Sequence, residues 1–246
     1  AYDPKLAPKL DTVGYRWIIL DEIALNGKVN QVDATAIYTV SGTNLMVFFR
    51  ERNPSNLIMS ALVRREQDFH ELMGAEYAKK KYLITGMDGE TFGHHRPGLQ
   101  KLLTGLLTSD EFDHAFISEL PRHFAARREV APVTSTWASN ERDIEEGKQF
   151  LTWRDETNQI HTWQWELQQL ALAAVTTDNG AGTAESAARA KLDQALASDH
   201  FFWASAQPWW SLEVIESGAW ALLDTVRAVA TVDRQTLARA EDLYHK

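Results

Sequence analysis

Short apolar runs that stop at carboxylates, with helical stretches between them, constrain this chain more than any other feature. Tyr15-Arg16-Trp17-Ile18-Ile19-Leu20 ends in Asp21-Glu22, Tyr82-Leu83-Ile84-Thr85 leads to Asp88 and Glu90, and Ala115-Phe116-Ile117-Ser118 ends in Glu119. β-Branched and aromatic residues in runs of this length predict strands. Two further runs, Ala36 to Val40 and Leu45 to Phe49, are joined by Ser41-Gly42-Thr43-Asn44, which predicts a hairpin turn. The second of them ends in Arg50-Glu51-Arg52. Apolar residues at helical spacing predict helices over Asp3 to Val13, from Pro54 to about Lys81, and from Pro97 through Leu106. Such alternation is the pattern of a β/α barrel or parallel sheet, whose chemistry sits in the loops after the strands. Fewer barrel strands are visible than the roughly eight that closure takes in the standard case. The expectation is therefore an α/β protein with a partial, incomplete β/α barrel over residues 1–130.

From Ala131 to about Asn158 the sequence is irregular and holds Trp137 and Trp153. Beyond it, helices are predicted over Gln159 to Thr176, Ala184 to Ala197, Leu212 to Ala230 and Asp233 to Tyr244, with breaks at Asp178-Asn179-Gly180-Ala181-Gly182 and Gln207-Pro208. Residues 131–246 thus read as an irregular connection and an α-helical bundle packed on the barrel. Composition narrows the partners. With 25 basic and 34 acidic residues the formal net charge is −9, which leaves no broad surface for a phosphate backbone, so nucleic acid is not an expected partner. The absence of cysteine excludes disulfides, thiolate metal sites and cysteine nucleophiles. No apolar run approaches the roughly 20 residues of a membrane span, and nothing at the start resembles a signal peptide. No membrane partner and a cytoplasmic location are expected.

The stretch Asp88-Gly89-Glu90-Thr91-Phe92-Gly93-His94-His95 packs two carboxylates, two glycines and two imidazoles into a turn directly after a predicted strand. If the strand pleat persists, Asp88 and Glu90 project to one side and can face one pocket. A carboxyl held at a strand end among rings such as Phe92 can be desolvated into the range a general acid needs near neutral pH. The plain structural reading is that Gly89 and Gly93 shape the turn, Glu90 caps a backbone amide and both histidines are solvated.

These residues resemble the motif that carries the acid/base aspartate in glycoside hydrolase family 57, the retaining amylases, glucanotransferases and branching enzymes that act on α-glucans. Ala1-Tyr2-Asp3-Pro4 is similar to the residues that follow the family's nucleophilic glutamate, and Tyr15 through Glu22 resembles the next barrel strand. Phe48-Phe49-Arg50 with Asn53 to Ile58, and Ser198-Asp199-His200-Phe201-Phe202-Trp203, resemble family segments too. The resemblance implies a distorted (β/α)7 barrel with Asp88 as general acid/base. Glu90, His94, His95, Asp199 and Trp203 would contact an α-glucan or maltooligosaccharide, without a metal or other cofactor. Retaining hydrolysis needs a second carboxylate about 5 Å from the first. In the family that glutamate would precede residue 1 here, so the resemblance implies a fragment completed by the N-terminal half of the barrel and inactive without it. Asp21, Glu22 and Glu119 are the replacement nucleophiles the sequence offers.

Other readings stay open. His94 and His95, being adjacent, point apart in an extended loop, and a metal-dependent deacetylase-like site would need more converging ligands than they supply. A carbohydrate-binding protein that kept the fold without the chemistry is the alternative from a different class. Trp203, Trp209 and Trp210 with Phe201 and Phe202 form a dense aromatic cluster suited either to sugar stacking or to core packing. Trp163 and Trp165 cannot share a helix face, and Lys79-Lys80-Lys81 reads as a cationic helix C-terminus.

Overall fold

A computed structural model describes residues 1–177, 187–206 and 209–246. The expected breaks at 178–182 and at Gln207-Pro208, and the start of the helix expected from Ala184, lie outside the described residues. The chain forms two compact units, residues 1–149 and 150–246.

The first unit is built on a sheet of β1 (Trp17–Asp21), β2 (Ala36–Val40), β3 (Met46–Arg50) and β4 (Ala126–Val130), in the order β1-β3-β2-β4. β1 runs parallel to β3, β2 antiparallel to β3 and β4 parallel to β2. β2 and β3 are central and buried on both faces, which is why they read as near-continuous apolar runs. Their alternation divides the core. Tyr38, Val40, Val47 and Phe49 pack on one side with Tyr2, Ala7, Ala24 and Leu25, while Ile37 and Phe48 pack on the other with Ala34, Tyr82 and Leu120. Burying a ring the size of Phe48 or Phe49 contributes about 2 kcal/mol. The expected hairpin between them is present, with Gly42 at φ +75° and Thr43 N donating to Val40 O.

The protein is mixed α/β, and the antiparallel β2 departs from the run of parallel strands expected of a barrel. Three local expectations fail for identifiable reasons. Tyr82 to Thr85 pairs as no strand; single bonds tie it down, from Tyr82 N to Ala34 O and from Glu51 N to Ile84 O. Ala115 to Ser118 is not a strand, because Ile117–Glu119 closes into a 3-10 turn capped by the Glu119 carboxylate on Phe116 N at 3.0 Å. The fourth strand is instead Ala126–Val130, whose Arg127, Arg128 and Glu129 are exposed, as an edge strand tolerates. The long helix expected to Lys81 breaks into Arg52–Met59 and Glu66–Met73, with Ala61 at φ +57° and Val63 N closing back on Leu57 O. Ile58, Val63, Phe69 and Met73 still meet Leu99 and Leu102 in one cluster, so an apolar stripe could not distinguish one helix from two. Lys79 caps the 3-10 turn Gly74–Ala78 rather than a long α-helix, and the lysines pair with Glu76 and, for Lys81, also with Glu51.

Residues 131–149 belong with the first unit rather than with the helices that follow. Tyr2 and Ser135 form an antiparallel bridge, Val133 N donates to Ala24 O, and Lys28 pairs with Glu141 and Glu145. Backbone pairing fixes this stretch without any apolar periodicity, so no sequence pattern marks it.

The second unit is helical: Gln159–Thr177, Ala187–Ala195, Asp199–Trp203, Leu212–Ala228 and Arg234–Tyr244. Leu167, Ala171, Val175, Leu192, Leu222, Leu223, Val226 and Leu243 form its core. Gly218 lies so close to the His200 ring that a Cβ there would come within 2.2 Å of Cγ. His200 is 3% exposed, and its Nε2 has no hydrogen-bond partner among the described residues. Burial drives its pKa down to about 4, with Asp199 opposing the shift. Between the ordinary value near 6.5 and 4, the unfolded chain binds a proton that the folded chain refuses. The stabilisation is complete above 6.5 and is lost as pH falls toward 4, by up to about 1.4 kcal/mol per unit. Thermal midpoints measured from pH 7 to pH 4.5 are expected to fall more steeply for the native protein than for His200→Asn. Parallel curves would remove His200 as the source.

No helix among the described residues is long and apolar enough to cross a membrane.

Candidate active site

The parallel register of β1 and β3 places Asp21 opposite Arg50 at the C-terminal ends of both strands. The Asp21 side chain is 2% exposed, and both its oxygens are occupied. Arg50 Nη1 donates to Oδ2 at 2.6 Å, and Arg52 Nη2 lies 2.8 Å from Oδ1. Ile23 N also donates to Oδ1, at 3.1 Å. A buried carboxylate is tolerable only when paired in this way. Glu22 is bound just as fully, accepting from Asn30 N at 2.6 Å and Arg52 N at 2.7 Å.

The same arginines reach outward to loops. Arg50 Nε donates to Gly86 O at 2.5 Å and Nη2 to Asn56 Oδ1 at 2.9 Å. Arg52 Nη1 donates to Ser139 O at 2.7 Å and Nη2 to Trp137 O at 3.1 Å. At Gly86 a Cβ would sit 3.3 Å from Arg50 Cδ, and Gly86 N donates to Ser55 Oγ at 3.2 Å. The chain is thus pinned two residues before Asp88. A cleft of about 280 Å³ opens over these strand ends, and Tyr2, Asp21, Arg50, Met59, Asp88 and Trp137 contribute to its wall.

Asp88 accordingly lines the cleft at the strand ends, but it is exposed rather than enclosed by rings. Phe92 turns away and packs with the cluster around Ile58 and Phe69. Glu90 does not share the side of Asp88, because Gly89–Thr91 is a 3-10 turn and the pleat does not persist. Glu90, His94 and His95 are exposed and stand outside the cleft wall. His95 Nε2 lies 3.9 Å from Glu90 Oε1. The turn also brings the two imidazoles together, edge to face with centroids 4.9 Å apart, where an extended loop would have separated them. No group of three histidine or acidic side chains among the described residues is placed to hold a metal ion.

Asp199 and Trp203 belong to the second unit. Asp199 is exposed in the first turn of its short helix, and Trp203 is half-buried with its ring 5.7 Å from that of Trp209. Trp209 and Trp210 are about half exposed, at 49% and 51%. Trp165 serves packing, stacking on Phe201 at 4.6 Å and donating through Nε1 to Trp153 O. Trp163 packs against the helical core. Arg50 and Arg52 are the residues the sequence reading passed over. An arginine ending a strand as apolar as Met46 to Phe49 needs a buried partner, and that was the available signal.

A carboxylate-bearing loop pinned over the ends of two parallel strands, on a mixed α/β scaffold, defines the class: an α/β protein whose candidate site lies at strand C-termini. The chain belongs to glycosyl hydrolase family 57, whose model matches residues 1–139. Its structure is similar to that of a GH57 branching enzyme from the hyperthermophilic archaeon Thermococcus kodakaraensis, solved in complex with glucose, with a TM-score of 0.66 at 16% identity. That likeness, one of fold, covers 97% of this chain and 57% of the branching enzyme. No curated protein matches the sequence.

Proposed function

We propose that this chain carries the acid/base half of a retaining glycoside hydrolase or glucanotransferase that acts on α-glucans. The carrying observation is the position of Asp88 in the cleft wall, two residues beyond the carbonyl that Arg50 holds, in a member of family 57. In this reading Asp88 protonates the departing glycosidic oxygen and then takes a proton from the incoming water or sugar hydroxyl. Glu90, His94 and His95 meet sugar hydroxyls on the solvent side of the loop. Asp199 and Trp203, in the second unit, are a carboxylate and an indole face suited to contact sugar.

The nucleophile is none of Asp21, Glu22 or Glu119. The first two spend their oxygens on arginines and backbone amides, and the third caps its own turn. Arg50 and Arg52 act as positioning residues, since they hold the loops on either side of the cleft and neutralise Asp21.

The test is the stereochemistry of turnover. Proton NMR of maltoheptaose cleavage by the full-length protein is expected to show the α-anomer first, as double displacement requires. Initial β-anomer, or no processing of any α-glucan, would refute the reading.

A further inference from the structure

The helix Asp199–Trp203 is five residues long, too short to persist alone. It nevertheless carries the two second-unit residues of the proposed function at its two ends. Besides the packing of Phe201 on Trp165 and His200 on Gly218, three side chains spaced three apart, one at the cap and two in the first turns of Gln159–Thr177, bond to its backbone. Asn158 Nδ2 donates to Ala204 O at 2.9 Å, His161 Nε2 to Phe201 O at 2.9 Å and Gln164 Nε2 to His200 O at 3.0 Å. The three acceptors are backbone carbonyls of the short helix and its C-cap; Phe201 O also accepts from Ala204 N at 3.1 Å, so His161 adds a second donor there.

The histidine has one way to do this. Asp155 N donates to its Nδ1 at 3.0 Å, so the ring proton belongs on Nε2, where Phe201 O receives it. Burial also lowers the His161 pKa, which keeps the ring in this neutral form. His161 is 1% and Gln164 4% exposed. Apolar side chains would pack this interface without the cost of desolvating polar groups. Directed hydrogen bonds do what packing alone does not: they fix rotation and axial register.

We propose that Asn158, His161 and Gln164 form a polar clamp that positions Asp199 and Trp203 for glucan binding. The inference rests on the reading of those two residues as sugar contacts.

The test measures maltoheptaose affinity of the full chain by calorimetry at a temperature well below unfolding. His161→Asn keeps a group near the Nδ1 position but loses the donor to Phe201 O, and it is expected to weaken binding about tenfold. His161→Gln restores an amide N–H near the Nε2 position and is expected to recover affinity to within about threefold, whatever its melting temperature. Asn158 also caps the start of the following helix, its Oδ1 accepting from Ile160 N. Asn158→Asp keeps that cap and so preserves the fold, yet loses the donor to Ala204 O. It supplies a second reading should His161→Asn fail to fold, and is expected to weaken binding severalfold. Wild-type affinity in Asn158→Asp and His161→Asn, alongside weakened binding in Asp199→Asn and Trp203→Ala, would overturn the clamp alone. Unchanged affinity in Asp199→Asn and Trp203→Ala would overturn the reading beneath it, and the clamp with it.

Discussion

Asp88→Asn in the full-length protein is expected to lower kcat/KM on amylose by about 10²- to 10⁴-fold, the range that a lost general acid typically costs. Asparagine keeps the shape of the side chain and has no proton to give. The Asp88 side chain does not cap its turn, which is held by its backbone carbonyl accepting from Thr91 N, so the fold should tolerate the change. The discriminating measurement compares substrates. Fluoride leaves a maltosyl fluoride without protonation, so bond breaking on that substrate should lose far less than on amylose. An equal loss on both would mean that Asp88 binds sugar rather than donating a proton, and native turnover on both would remove it from the mechanism.

Asp21→Ala is expected to destabilise the first unit by about 3–5 kcal/mol, the usual cost of stranding a buried charge. Arg50 would be left in the sheet with its guanidinium facing an empty space, and Arg52 would lose its inner partner. For a unit of this size that corresponds to a fall in thermal midpoint of about 10 °C or more. The apolar pair Asp21→Leu with Arg50→Leu removes both of the most buried charges together and is expected to recover part of the stability, Arg52 keeping its bonds to Ser139 O and Trp137 O. The same double variant breaks the bond from Arg50 to Gly86 O, so catalysis should stay impaired after stability returns. Full activity in a stable double variant would show that the Asp88 loop does not depend on Arg50.

Local sequence was a good guide where burial imposes periodicity. β2 and β3 were legible at nearly their exact bounds because both of their faces are covered. Four helices of the second unit were legible because their apolar stripes meet one core, whereas the five-residue Asp199–Trp203, too short for a stripe, was not. β4 was not, because a strand at the sheet edge can carry Arg127, Arg128 and Glu129 and leave no apolar pattern. The Asp88 stretch was legible as a motif, yet its geometry was not: alternation was assumed to continue where Gly89 begins a 3-10 turn. The clamp from Asn158 to Gln164 was invisible, since its acceptors are backbone carbonyls some forty residues on.

By itself the sequence determined which segments must be buried, which residue types can do acid/base chemistry, and the family motif around Asp88, because these depend on composition and short-range spacing. Only tertiary structure decided that Asp21 is a buried counter-ion of Arg50 and Arg52, that Glu90 leaves the cleft wall, and that Arg50 bonds the loop before Asp88. The role of a charge depends on what faces it across a sheet or a helix pair, and those partners are set by register and packing between segments distant in the chain.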